Sequence, residues 1–405
     1  MADPRITIVG ASLAGLRTAE AVLAELPQAR IMLVGDEPHA PYNRPPLSKD
    51  SMEALAGGQA PRAEVFEKLL LRSKIMPGQI EMRLGVAAAG IESGDVRLED
   101  GALIRSDFVV AATGIRPRRI PMQGAADRRH VLRSFDDAEA LAQAMRPGAQ
   151  MVVIGAGFIG CEIAATARKL GLHVTVVEPA PQPMLRALGH RVAAAMAALH
   201  RRHGVTLLTG RSVEAFEADR VILDDGKALE ADVIVEALGS RPNTEWLAAS
   251  GADLSDGVLV DDAMQAIGAP NLLAVGDIAR FANPLFDDVP RRVEHWCVPG
   301  QTAKRAAASI EARVAGGPPA PGFAPMPSFW SDQYGMRVQA FGAPALAETQ
   351  TVVEGDLTQI GEAPIVVEYA RGDHLVGVIG LGAPPALIAR YRARLMDALC
   401  APVTA

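Results

Sequence analysis

Two glycine-rich hexapeptides offer the first chemistry in this chain. Gly10-Ala11-Ser12-Leu13-Ala14-Gly15 and Gly155-Ala156-Gly157-Phe158-Ile159-Gly160 each follow an apolar run and open a helical pattern. In such a turn the first glycine allows the bend, the second lets a pyrophosphate approach the backbone, and the third lets helix and strand pack closely. The helix start adds free N–H groups and the positive end of its dipole, so the ligand this turn suits is a phosphate. Ser12 replaces the second glycine of the first turn, whereas the second turn matches in full. An acidic residue ends the strand after each turn: Asp36 or Glu37 in the first case, Glu178 in the second. A carboxylate there accepts hydrogen bonds from a ribose diol and repels the 2′-phosphate that distinguishes NADP from NAD. The chain is therefore expected to bind two dinucleotides, most economically one flavin and one NADH.

Other reactive residue types add little. Cys161, Cys297 and Cys400 are odd in number and far apart, supporting neither a disulfide framework nor a zinc site. The eight histidines show no metal-ligand spacing, so no metal is expected.

The elements that must position the two turns repeat along the chain. Residues 5–9 and 30–34 read as strands around a helix with apolar residues at 13, 16, 19, 22, 23 and 26, and Pro27 falls at its end. The same order recurs at 151–154, 158–170 and 174–177. Residues 96–114 (VRLEDGALIRSDFVVAATG) also align without gaps on 221–239 (VILDDGKALEADVIVEALG), with eight identical positions including both Asp-Gly pairs. An Asp-Gly between strand-like runs reads as a hairpin turn. The first copy is longer by about 20 residues, and 38–61 is the natural place for them. Beyond residue 240 the chain is expected to form one more strand at 272–275, a helix at 301–314, a linker at 316–327, and a small α+β domain with alternating strands over 328–381 and a helix near 386–399.

Composition narrows the class. With 405 residues, 49% of them hydrophobic and 21% charged, the chain is globular and long enough for several domains. A net charge of −7 argues against nucleic acid as partner, and no apolar run reaches the ~18 residues of a membrane span. No signal-peptide pattern precedes the strand at 5–9, so a cytoplasmic location without membrane contact is expected.

Five further motifs carry a resemblance: Pro41-Tyr42-Asn43-Arg44-Pro45-Pro46-Leu47-Ser48-Lys49, Ala112-Thr113-Gly114, Ala274-Val275-Gly276-Asp277, Glu294-His295-Trp296 and Phe329-Trp330-Ser331-Asp332-Gln333-Tyr334. Over essentially its whole length the chain resembles the FAD- and NADH-dependent ferredoxin reductases of oxygenase systems. The resemblance implies an α/β fold of two interleaved Rossmann-like (glutathione reductase-type) dinucleotide-binding domains plus a C-terminal α+β domain. Residues 1–112 and 242–320 would hold FAD, 113–241 NADH, and 321–405 would form the third domain. It also implies a FAD site containing Gly10, Ser12, Ala14, Gly15, Ala112, Thr113, Gly114, Gly276, Glu294 and His295. Within it Asp36, with Glu37 close behind, takes the adenosine ribose, and the Val86 backbone reaches the adenine. Arg44 and Lys49 lie along the flavin, Arg133 reaches the diphosphate or adenosine end, Asp277 binds the ribitol, and Trp296 and Trp330 flank the isoalloxazine. The NADH site would comprise Gly155, Gly157, Phe158, Ile159, Gly160, Glu162, Glu178 and Gly239. Lys49 and Glu162 are expected to form an ion pair beside the flavin and, with Trp330, to serve the reaction.

Neighbouring families carry either a redox cysteine pair in the first flavin helix or a single cysteine near residue 43, where this chain has Asn43 and Arg44, so the flavin is expected to pass its electrons on directly. The implied partner is a [2Fe-2S] ferredoxin feeding a P450 or ring-hydroxylating oxygenase. Rubredoxin, a quinone or dioxygen is the alternative acceptor, and an NADH-sensing interaction protein the alternative class. Because this chain is itself acidic, ferredoxin docking would need a local basic patch, with Arg291, Arg292, Arg337, Arg390, Arg392 and Arg394 as candidates.

Overall fold

The computed structural model describes residues 3–58 and 60–400. They fall into two units, each assembled from three stretches of chain: Met1–Asn43, Leu70–Arg116 and Arg241–Pro327 in the first, and Arg44–Leu69, Pro117–Ser240 and Ser328–Ala405 in the second.

The first unit is built on a parallel five-stranded sheet. Its order is Leu272–Ala274, Phe108–Ala111, Arg5–Val9, Arg30–Gly35 and Glu81–Leu84. Ile6, Ile8 and Val9 are buried without interruption, because a central parallel strand is covered on both faces. Helix Leu13–Glu25 buries Leu13, Leu16, Ala19 and Val22, the apolar face read from the sequence. It packs against helix Val298–Val314. That second helix starts three residues before the expected 301, because Pro299 lies in its first turn, where the missing N–H costs no helical bond.

The second unit repeats the scheme. Its parallel sheet runs Thr206–Thr209, His173–Glu178, Gln150–Ile154, Val233–Glu236 and Arg129–His130. Helix Phe158–Lys169 follows the central strand and buries every residue from Gly160 to Ala167. The duplicated segments form matching hairpins. Val96 pairs with Ile104 and Val221 with Leu229, across turns in which Gly101 and Gly226 have φ +88° and +79°.

The extra residues of the first copy supply a 3-10 turn, Pro45–Ser48, and helix Asp50–Ala56, which packs on helix Phe135–Ala144. A capping box between Ser134 and Asp137 fixes the start of Phe135–Ala144. Also in this unit is an antiparallel sheet ordered Ser328–Gln333, Met336–Gly342, His374–Leu381, Ile365–Arg371 and Thr349–Glu354. Helix Pro385–Cys400 covers it with Ile388, Tyr391 and Leu395.

Helix Leu185–Arg202 is broken at Gly189, where φ is +68°. The amide of Gln350 occupies the break: its Nε2 donates to the Leu188 carbonyl and its Oε1 accepts from the Arg191 N–H at 2.9 Å. The Tyr369 hydroxyl donates to the same Leu188 carbonyl at 2.7 Å.

Candidate functional site

The first glycine turn has no room for side chains where the sequence has none. Gly10 holds φ +119°, and a Cβ there would lie 2.2 Å from the Ala112 carbonyl oxygen. A Cβ at Gly15 would lie 2.0 Å from the Gly10 oxygen. Gly276 closes on the same helix, since a Cβ there would fall 2.9 Å from that of Ala14. Gly10, Ala14, Gly15, Ala112 and Gly276 thus come together at the start of helix Leu13–Glu25, whose N-cap is Ser12. At the end of strand Arg30–Gly35, Glu37 is engaged by the Tyr42 hydroxyl at 2.5 Å. Asp36 is exposed and accepts from the Glu37 N–H at 3.0 Å, which leaves Asp36 the better placed of the two for a ribose. The Val86 N–H donates to the Gly35 carbonyl, setting Val86 beside that strand end. After Ala112, Thr113 and Asn243 exchange two hydrogen bonds of 2.8 and 2.9 Å, and Gly114 holds φ +61°. Asp277 lies in the 3-10 turn Gly276–Ile278. Arg292 pairs with the exposed Glu294, Trp296 is partly buried, and burial pushes His295 down to about 4, leaving its ring neutral at pH 7.

The second turn repeats the steric argument. Gly155 holds φ +101° with the Ala237 oxygen 2.4 Å from a would-be Cβ, and at Gly160 the Gly155 oxygen is at 2.1 Å. Gly157 has open space in that direction, as an approaching pyrophosphate requires. Glu178 braces the turn, accepting from the Ala156 N–H at 2.7 Å and the Ala180 N–H at 2.8 Å, and each oxygen keeps a lone pair for a ribose hydroxyl. Ile159 is exposed, Phe158 packs on Phe329 with centroids 4.9 Å apart, and Gly239 is an exposed residue with φ +80°. Both turns therefore fit a dinucleotide.

The second unit also holds a buried ion pair. Lys49 Nζ lies 2.8 Å from Glu162 Oε2, with the two side chains 16% and 4% exposed. Two hydroxyls complete the carboxylate: Ser48 donates to Oε2 at 2.5 Å and Ser331 to Oε1 at 2.6 Å. Lys49 also donates to the Pro45 carbonyl, and Thr166 holds the Ser48 carbonyl from the Glu162 helix. Trp330 stands apart from this group: Ser331 and Gln333 are buried on one face of their strand, and Trp330 points to the other. Arg44 donates to the carbonyl of Arg133 at 2.8 Å, so these two expected flavin contacts are neighbours.

The candidate basic patch is largely neutralised. Arg291 pairs with Asp287, Arg292 with Asp256 and Glu294, Arg337 with Asp332, Arg390 with Glu354, and Arg394 with Glu368. Arg392 instead lies over the Phe341 ring at 5.2 Å.

Comparison with known proteins identifies the family. Residues 4–303 match the pyridine nucleotide-disulphide oxidoreductase family, and residues 328–400 match the reductase C-terminal family. This chain belongs to the pyridine nucleotide-disulphide oxidoreductases. Within that family it is 35% identical to the ferredoxin–NAD(+) reductase component of the biphenyl dioxygenase system of Paraburkholderia xenovorans (strain LB400), over 91% of this chain and 87% of that protein. It is 34% identical to putidaredoxin reductase of Pseudomonas putida, over 95% and 90%. It superposes on the crystal structure of the covalent putidaredoxin reductase–putidaredoxin complex with a TM-score of 0.86, at 32% identity over 98% of this chain and 94% of that one. The mixed α/β fold read from the sequence is the family's own.

The family takes its name from a disulphide, yet among the described residues Cys161, Cys297 and Cys400 form none. Cys161 is fully buried, and burial raises its thiol far above the usual range, so it stays protonated and inert. Sequence reasoning missed Ser48 and Ser331 as partners of Glu162. The signal for Ser331 was its period-two placement with Gln333, which puts both on one face of the strand.

Proposed function

We propose that this protein is an NADH-dependent ferredoxin reductase that binds FAD on the first unit's glycine turn and NADH on the second's. FAD held on the first turn would supply the chemistry of hydride acceptance and one-electron release. The observation that carries the reading is the pair of sterically closed glycine turns together with Lys49–Glu162, in a chain with no paired cysteines among the described residues. Two such cradles suit two dinucleotides, and with no cysteine pair among the described residues this chain supplies no redox disulphide between a flavin and its acceptor.

Asp36, Arg44, Arg133, Asp277, Trp296 and the turn at Gly10 are assigned to FAD, and the turn at Gly155 with Glu178 to NADH. Lys49, Glu162 and Trp330 are assigned to the reaction. Lys49 would supply the ammonium of the site, and Glu162 fixes its position. The residue spans 1–112 and 242–320, 113–241, and 321–405 are assigned to FAD, NADH and the third domain. The acceptor is a [2Fe-2S] ferredoxin serving an oxygenase in the cytoplasm; in support, one relative is named as the ferredoxin–NAD(+) reductase component of a dioxygenase system and another as a putidaredoxin reductase.

The test is anaerobic turnover of FAD-loaded protein with NADH and, in turn, a [2Fe-2S] ferredoxin, a rubredoxin and a soluble quinone. Turnover at least tenfold faster with the ferredoxin supports the proposal. Equal turnover without any protein acceptor would overturn it.

A further inference from the structure

The polar group around Glu162 continues past Ser331 into the core. Gln333 is 1% exposed and uses every polar atom it has. Its Nε2 donates to Ser331 Oγ at 3.0 Å and to Met184 Sδ at 3.7 Å, and its Oε1 accepts from His200 Nε2 at 2.8 Å. His200 is itself fully buried, and its Nδ1 accepts from the Tyr334 hydroxyl at 2.8 Å. The single proton of the neutral ring therefore sits on Nε2, since a carboxamide oxygen can only accept. Every bond points the same way: Tyr334 to His200, His200 to Gln333, Gln333 to Ser331, Ser331 to Glu162.

Both flanks of this chain carry non-glycine residues in the left-handed region, Met184 and Tyr334, each with φ +53°. Such backbones persist only where the surroundings over-determine them. Tyr334 is held by His200 and by stacking on His203, with centroids 3.9 Å apart and planes within 6°. Met184 is held by its own N–H, which donates at 2.8 Å to the carbonyl of Ala156, the residue between the two leading glycines of the second turn. A contiguous path thus leads from the phosphate-binding turn, through Met184, Gln333 and Ser331, to Glu162 and Lys49.

We propose that Gln333 is a positioning residue that couples nucleotide occupancy of the second glycine turn to the Lys49–Glu162 pair. The inference rests on reading that turn as the NADH site. A bound pyrophosphate fixes the Ala156 carbonyl, and with it Met184. Gln333 has no spare partner and no room in a close-packed interior, so a shift at Met184 re-aims the amide toward Ser331 and is felt at the carboxylate.

The test is calorimetric NAD+ binding to FAD-loaded wild type, Gln333→Met, Glu162→Gln and the double variant. Methionine keeps the length of glutamine and removes its amide hydrogen bonds. Gln333→Met should weaken NAD+ about fivefold alone and less than twofold further in the Glu162→Gln background, since residues acting through one path are non-additive. The same fivefold loss in both backgrounds, or no loss in either, overturns the coupling while leaving the NADH site intact. A wild type that fails to bind NAD+ sinks the site reading and the coupling together. A second readout is the shift that NAD+ causes in the flavin midpoint potential, which should shrink at least twofold in Gln333→Met. A shift absent from wild type, or unchanged in the variant, counts against the proposal. If Gln333→Met does not fold, Ser331→Ala cuts the same path one bond nearer Glu162, with the same non-additive pattern expected and the same additive result overturning it.

Discussion

Replacing Lys49 by methionine removes an ammonium 2.8 Å from Glu162 Oε2 and keeps most of the side chain's apolar length. Glu162 retains two hydroxyl donors, at 2.5 Å from Ser48 and 2.6 Å from Ser331. With 4% of its side chain exposed, water cannot replace the lost charge. Removing one partner of a buried pair costs roughly 3–5 kcal/mol, and the two surviving donors place this variant near the lower end, at about 3 kcal/mol. Urea unfolding of FAD-loaded protein measures that loss. The kinetic effect should be larger than the binding effect. Removing one electrostatic stabiliser from a reacting site slows the chemical step on the order of 10²-fold, whereas FAD affinity should fall less than about fivefold because most of its contacts lie elsewhere. Stopped-flow reduction by NADH separates the two. Reduction at the wild-type rate refutes the assigned role, and a stability loss below about 1 kcal/mol refutes the burial argument itself.

Four other outcomes are expected. Wild type should prefer NADH to NADPH at least tenfold in kcat/KM, and Glu178→Ala should erase most of the preference mainly by weakening NADH, since Glu178 also braces the turn at Ala156; equal efficiency in wild type refutes the assignment. Gly10→Ala should abolish FAD retention and Gly155→Ala NADH binding, because the added Cβ meets a carbonyl oxygen at 2.2 and 2.4 Å respectively; calorimetry showing either ligand bound normally would contradict this. Burial lowers His200 to about 4 in the folded protein, so its contribution to stability is present above pH ~6.5 and lost as pH falls toward 4, about 2 kcal/mol by pH 5; a His200→Gln variant whose stability falls as steeply from pH 7.5 to 5 would show the assignment to be wrong. Arg392→Glu should raise the ferredoxin Michaelis constant more than Arg337→Glu, whose charge is already shared with Asp332; the reverse order would show that local pairing does not set the docking field.

How much of this was legible in the sequence depends on range. The glycine turns, the acidic strand ends and the Asp-Gly hairpins are local, and each has a steric or hydrogen-bonding reason readable within a few residues. Helix 298–314 begins three residues before the expected 301, since Pro299 fits its first turn. The Lys49–Glu162 pair spans 113 positions and was reached only because both residues sit in recognisable motifs. His200 has no such flag: it lies on an amphipathic helix, and only the folded chain brings it to Gln333, 133 positions away. The ion pairs that neutralise the arginine patch were equally invisible. Arg390 meets Glu354 and Arg394 meets Glu368 only after the strands carrying those acids have formed.

The break at Gly189 has a consequence for how the chain is made. The Leu188 carbonyl accepts from Gln350 and Tyr369, residues 162 and 181 positions later. A ribosome adding about 5–20 residues per second reaches Tyr369 roughly 10–35 s after Leu188. Over that interval the emerged chain holds a nearly complete parallel sheet and a helix whose break lacks these two partners. The second unit must therefore finish folding after the first has received its last stretch, although it begins earlier than residue 240. Nascent chains stalled before residue 350 should be open to proteolysis within 185–202, and those extended past 371 should be protected there.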